Sequence, residues 1–478
     1  AIHSAPKFVS GHQLLALVQA REHKYQEAKQ NLAAVPVPSE TPARIKYLRL
    51  SASIESGLGD APIAAHAMEE VLRLAGGDHE VQLATAVAEA QAQKWSACLQ
   101  NVRPLFVERP NATSGLLLLQ AELGAGQDFH PTLEHIDRLK LADSEKLALL
   151  SRSAQLLADS GKHVEAVEEL QQATAISGSG ADLLYDLAVE QYRSGQLDAA
   201  LTNVGQLQRS ADSAELEDLS GDIQEERKDY LAAVHAYQTA VALAPDQEHY
   251  RLALGGELLR HENYEPATLV FQQAARLFPK SAQMLIGLGM TQFFQQLYDD
   301  SVSSFLRAVD LGDTRSDAIE YLGMTQLRAV LGPKPDVVKK VCSYADEHSN
   351  EGSALVWCGA LMFRWAFMAG DESTMPEVIQ RLRVATRAAP QSAAATCALG
   401  NALAWKEDWP ASRIWLESCV RLDPDSLEDH YHLRRVYLQL GRNDLAKQQA
   451  DLTVKAHTEQ DVRESLSKKF SYQIMSQP

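Results

Sequence analysis

Residues 248–281 read EHYRLALGGELLRHENYEPATLVFQQAARLFPKS, and this stretch decides the fold. Small and apolar residues recur at helical spacing in two blocks, Tyr250, Leu254, Gly255 and Leu258, then Ala267, Phe271 and Ala274. The spacing predicts helices over about 250–261 and 265–277, with a turn near Asn263. Gly255 and Ala267 are small where one helix must press on the other, and Phe271 fills the space beside them. Pro279 ends the second helix, because proline lacks an N–H and disfavours helix in the residue before it. A hairpin this short cannot bury its own apolar face, so it requires neighbours.

The neighbours are present at a 34-residue period. One period back stand Gly221, Tyr230, Ala233, Tyr237, Ala240 and Pro245; one period forward stand Gly289, Tyr298, Ser301, Phe305 and Ala308, with Asp313 in place of the proline. Three consecutive units in one register resemble the tetratricopeptide-repeat family, which sets a small residue and an aromatic in its first helix and alanine, an aromatic and proline in and after its second. The resemblance implies an all-α fold: a right-handed superhelical solenoid of about thirteen helix-turn-helix units, with a concave channel lined by the first helices.

Carried outward, the register spans about residues 9–460. The units before the three strong ones carry Leu15, Tyr25 and Ala28; Leu48, Ala52 and Ala64; Ala86 and Cys98; Leu119 and Ile136; Ala154 and Ala166; and Leu187 and Ala200. Leu331-Gly332-Pro333-Lys334-Pro335 breaks the pattern, and a second helix resumes at about 336–348. The pattern returns in Leu399, Gly400, Trp409 and Leu416, then in Leu433, Tyr437 and Ala446. The expected organisation is an extension at 1–8, an array at 9–330, an irregular loop and divergent helix at 331–352, a second stretch of array at 353–460, and a capping helix and tail at 461–478.

Val/Ile/Thr-rich alternating runs are scarce, so essentially no strands are expected. The formal net charge is −18, with no basic stripe, which argues against nucleic acid or an anionic membrane as the main partner. The five cysteines show no ligand spacing for zinc, and their odd number favours buried free thiols over a disulfide framework. Cys342 and Cys358 fall on helices that should touch, so a bridge there would require an oxidising compartment. The chain begins at Ala1 and not at methionine, and export, for instance to a periplasm, is therefore the expectation over the cytoplasm.

No catalytic motif is present: GxxxxGK[ST], HExxH and GxSxG are all absent, and no enzymatic activity, cofactor or metal is expected. Gly287-Leu288-Gly289 lies at packing positions inside a helix, and His430 and His432 point to different sides of one. Asn111-Ala112-Thr113 matches a glycosylation acceptor. Ala354–Gly370 is apolar apart from Arg364; it is short for a membrane span and reads as a core helix, with an exposed partner site as the alternative.

The resemblance places ligands on the second, fifth, ninth and twelfth residues of each unit. In one unit these are Glu215, Asp218, Asp222 and Glu225, all acidic and all on one helix face. The unit before offers Asp182, Tyr185, Val189 and Tyr192; later units offer Met290, Phe293 and Phe294, then Asp317 and Glu320. Two readings stand: a solvated acidic face over an ordinary core, or a groove for a protein or peptide with basic and apolar residues. The Lys and Asn clamp of chaperone-binding members is missing, since Asn401 stands alone. The sequence thus reads as a binding scaffold. A structural part of an envelope or secretion assembly, or the regulatory part of a longer protein, are the alternatives.

Overall fold

In the computed structural model, residues 9–176, 180–312, 317–328 and 332–453 are described. The expected extension at 1–8, the capping helix at 461–478 and Asp313 lie outside them. The described residues contain helices and connecting turns and no strand. The key stretch forms α15 (Glu248–Arg260) and α16 (Tyr264–Leu277), within two residues of the predicted bounds. Phe278 caps α16 ahead of Pro279.

Phe271 shows why the repeat keeps glycine. A Cβ on Gly255 would stand 2.6 Å from the Phe271 ring, and one on Gly287 of α17 (Ala282–Phe294) would stand 2.3 Å from it. The ring is therefore clasped between a glycine of its own hairpin and one of the next, and is almost fully buried. Gly287 and Gly289 accordingly serve helix packing. Gly289 repeats the arrangement against Phe305 of α18 (Tyr298–Asp310), as does Gly400 against Leu416.

A second rule also repeats. Where serine replaces the small residue of the second helix, its hydroxyl donates to the glycine carbonyl twelve residues earlier: Ser301 to Gly289 at 2.8 Å and Ser412 to Gly400 at 2.7 Å. The same spacing joins polar side chains across hairpins, Asn101 to Glu89 at 2.8 Å, Asn203 to Gln191 at 2.7 Å and Ser304 to Gln292 at 2.7 Å. Buried polar atoms need partners, and the hairpin geometry supplies them at a fixed offset.

The chain divides into two compact units, at Asp229/Tyr230. The first holds α1 (Val9–Arg21) to α13 (Ala214–Glu226), the second α14 (Tyr230–Leu243) to α25 (Leu427–Gln439) and helix through 443–453. In the first unit successive helices pack as hairpins, and first helices also meet directly, as α7 (Ala112–Ala125) meets α9 (Asp143–Asp159). Leu15 of α1 is an exception to the expected register: it is 36% exposed, and Ala16 and Ala20 take the buried positions. Asn111 caps α7, accepting from the Ser114 N–H at 3.1 Å. In the second unit α20 (Pro335–Glu347) starts on Pro335, where proline is tolerated. The apolar helix α21 (Gly352–Ala369) packs on α19 (Asp317–Arg328), α20, α22 (Met375–Ala388) and α23 (Ala393–Trp405). By length and composition it could cross a membrane. Within the second unit it packs into the core through Trp357, seated over Gly323, and through the fully buried Leu361 and Ala366, while Phe367 and Met368 near its C-terminal end are exposed.

The cysteines require a correction. Cys342 of α20 is bonded to Cys358 of α21, and Cys397 of α23 to Cys419 of α24 (Trp409–Leu422). Only Cys98 is a free thiol, and burial pushes it up to about 12. The odd number misled because one buried thiol sits in the first unit while four cysteines face one another in pairs in the second.

Candidate functional site

In the first unit the expected acidic stripe lies on α13, beside α11 (Ala181–Arg193). Ser213 caps α13, accepting from the Leu216 N–H at 3.3 Å, and this sets where the stripe begins. Leu216, Leu219 and Ile223 are buried on the opposite face, which turns Glu215, Asp218, Asp222 and Glu225 away from the core. Glu215 is exposed and the other three are half-buried. On α11, Asp182 is exposed while Tyr185 and Tyr192 are half-buried. The Tyr185 phenol is raised above the ordinary tyrosine range, first by burial and then by the charges of Glu215, Asp218, Asp186 and Asp222. Tyr185 and three of the four stripe acids therefore share one surface. Asp186 is also raised, by burial and then by Asp182 and Glu190.

In the second unit the expected aromatic wall is less uniform. Met290 is half-buried, and Phe293 is buried, its ring edge-on to Phe294 and Tyr298 and under the Arg328 guanidinium at 4.9 Å. Phe294 is 44% exposed and stacks on Tyr264 at 5.2 Å. Asp317 and Glu320 are exposed on α19. They lie near Tyr321, whose phenol is raised by burial and then by Glu320 and Asp317. Tyr321 in turn stacks on Phe305 at 5.6 Å. Each unit thus presents a tyrosine flanked by carboxylates on a first helix.

Sequence reasoning missed a cavity of about 250 Å³ in the second unit, among α21, α23, α24 and α25. Its apolar walls are Phe363, Phe367, Trp405 and Trp409. Phe367 lies 5.9 Å from Phe363 and 5.7 Å, edge-on, from Trp405. Arg364 Nε and Asn401 Oδ1 are buried here without a hydrogen-bond partner. Glu428 also lines the cavity and meets His432 at 3.6 Å. Its carboxyl is held below the usual range, first by the His432 ring and also by the Arg364 charge. His430, two residues away, is used elsewhere, with its ring nitrogens 2.6 Å from Gln449 Oε1 and 2.9 Å from the Pro424 carbonyl. The signal in the sequence was four aromatic residues with Arg364 and Asn401, spread over two hairpins, and Arg435 of α25 lines the cavity from the next helix.

Residues 219–282 and 252–316 match the family model described as the tetratricopeptide repeat. No curated protein matches the chain. Among solved structures it is similar to the Cut9–Hcn1 hetero-tetramer of the APC/C, at 14% identity over 86% of this chain and 93% of that one, with a TM-score of 0.37. It is also similar to YrrB, described as a TPR protein with an unusual peptide-binding site, at 18% identity over 41% and 97%, TM-score 0.33. A third is the C-terminal part of a TPR repeat-containing protein from Cytophaga hutchinsonii, at 14% over 59% and 98%, TM-score 0.39.

Proposed function

We propose that this chain, a tetratricopeptide-repeat protein, is a non-enzymatic scaffold that captures a polypeptide rich in basic and apolar residues. Tetratricopeptide repeats offer extended first-helix surfaces to other proteins, and function must be argued from the residues placed there. The observation that carries the reading is the clustering around Tyr185. A phenol ring is set among Glu215, Asp218, Asp186 and Asp222, so apolar and anionic surface adjoin on α11 and α13. Four acids on one helix face repel one another, which local stability alone does not favour. A cationic side chain would meet carboxylates on this surface, and its aliphatic stem would lie on the tyrosine.

Reversing Glu215, Asp218, Asp222 and Glu225 to lysine tests this reading. Capture of the main partner from native extract is expected to be lost while the far-ultraviolet circular dichroism stays helical. Unchanged capture would refute the acidic surface as the binding site.

A second reading concerns where the scaffold works. The bridges Cys342–Cys358 and Cys397–Cys419 favour an oxidising compartment, and with it a part in an envelope or secretion assembly. Mass spectrometry of protein isolated from its native cells with thiols blocked at lysis should find both linkages; four free thiols would sink it.

A further inference from the structure

We propose that the cavity among α21, α23, α24 and α25 binds a planar apolar ring carrying a carboxylate. The inference goes beyond the acidic surface of the first unit and does not depend on it. The walls define the apolar half of the ligand. Phe363, Phe367, Trp405 and Trp409 present ring faces and edges around a space of about 250 Å³, which suits one flat group and not an open run of chain.

The polar half follows from what the cavity lacks. Arg364 Nε carries an N–H, is buried, and finds no acceptor. Among the described residues no carboxylate lies within ion-pair distance of Arg364; Glu428, which shares the cavity, is engaged by His432. The Arg364 charge reaches Glu428 across the cavity but forms no ion pair with it, so the buried Nε–H stays open, and a carboxylate is its geometric and electrostatic complement. Asn401 Oδ1, also buried and without a partner, calls for an N–H or O–H on the same ligand. Arg364 stands out further because the chain carries a formal charge of −18. Filling the site with leucine or methionine would have been simpler for a core, so the retained polar atoms point to a ligand that completes them.

A free aromatic acid and an aromatic residue adjoining an acidic one in a polypeptide share this chemistry. The test uses the full chain, isothermal titration calorimetry, and three probes: indole-3-acetate, its neutral counterpart indole-3-acetamide, and N-acetyl-tryptophanyl-aspartate amide. Saturable binding of one acidic probe is expected, with indole-3-acetamide weaker by about tenfold. Binding of indole-3-acetate identifies a small-molecule site, and binding of the peptide alone identifies a polypeptide side-chain site. Arg364→Met is expected to abolish the binding while raising the melting temperature of the free protein, since it removes an uncompensated buried donor and keeps the apolar stem. Trp405→Ala, checked for its helical spectrum, should lose binding of every probe. Absence of saturable binding by both acids, or equal affinity of the wild type and Arg364→Met, would overturn the proposal.

Discussion

Glu169 of α10 (His163–Thr174) is buried beside Asp137, and Glu169 Oε2 and Asp137 Oδ1 are both buried with no other hydrogen-bond partner. Burial first, then the neighbouring Asp137 carboxyl, push Glu169 up to about 8. A shared proton explains why two acids can occupy one site. The folded chain then holds a proton that the unfolded chain releases at the ordinary 4.5. This group's stabilising contribution is therefore complete below 4.5, declines as pH rises, and is lost above about 8. Glu169→Gln replaces the protonated acid with a neutral amide of the same shape. Relative to wild type, the variant is expected to gain roughly 3 kcal/mol between pH 5 and pH 8.5, read by urea denaturation at both pH values. An equal difference at the two pH values would mean that Glu169 is ionised in the fold. Three buried acids on first helices avoid this arrangement by meeting cations: Glu55 meets Lys29 at 2.7 Å, Glu122 meets Arg103 at 2.9 Å and Glu190 meets Arg193 at 2.9 Å.

The hairpin is the element that repeats, and its turn contains a conformational rule that its sequence only half displays. Gly59, Gly161, Gly195 and Gly441 hold a left-handed backbone between first and second helices, at φ of 69–82°. His23, Gln93, Lys228, Glu262, Gln296 and Glu407 hold the same conformation at φ of 55–63°, at a cost that glycine avoids. Gly195→Ala is expected to destabilise by about 1 kcal/mol and Glu262→Gly to stabilise by about 0.5 kcal/mol, measured as shifts in the urea midpoint. Opposite signs at both sites would show that tertiary contacts, not the turn, set these residues. The 34-residue spacing made the helices and the Gly255–Phe271 contact legible, because both follow from helical period and side-chain size. The turns were less legible, since Glu262 and Gln296 do not look like glycine. The acidic stripe followed from spacing along one helix. The aromatic cavity did not, because Phe363 and Trp405 converge only through the packing of α21 on α23, and an apolar run reads first as core. The bridge between Cys397 and Cys419, 22 residues apart, was missed because the odd cysteine total was applied to the whole chain.

Across the whole molecule the covalent restraints are unequal. Both bridges fall within residues 342–419 of the second unit, while the first unit has only the buried thiol of Cys98. A bridge closing 16 or 22 residues removes loop entropy from the unfolded chain worth about 3 kcal/mol. In a repeat array each hairpin is held by its own stability and by its immediate neighbours, so a local loss need not spread. Reduction is therefore expected to act regionally. Hydrogen exchange should accelerate in α20 to α24 when a reductant is added, and stay unchanged in α3 (Thr41–Gly57) to α12 (Leu197–Gln208). The same treatment should lower the melting of the second unit and split the thermal transition, giving a calorimetric enthalpy larger than the van't Hoff value. Uniform acceleration along the chain would show that the array unfolds as one cooperative body. No change in α20 to α24 would show that helix packing, with Trp357 over Gly323 and Leu416 over Gly400, already holds these hairpins without the sulfur bonds.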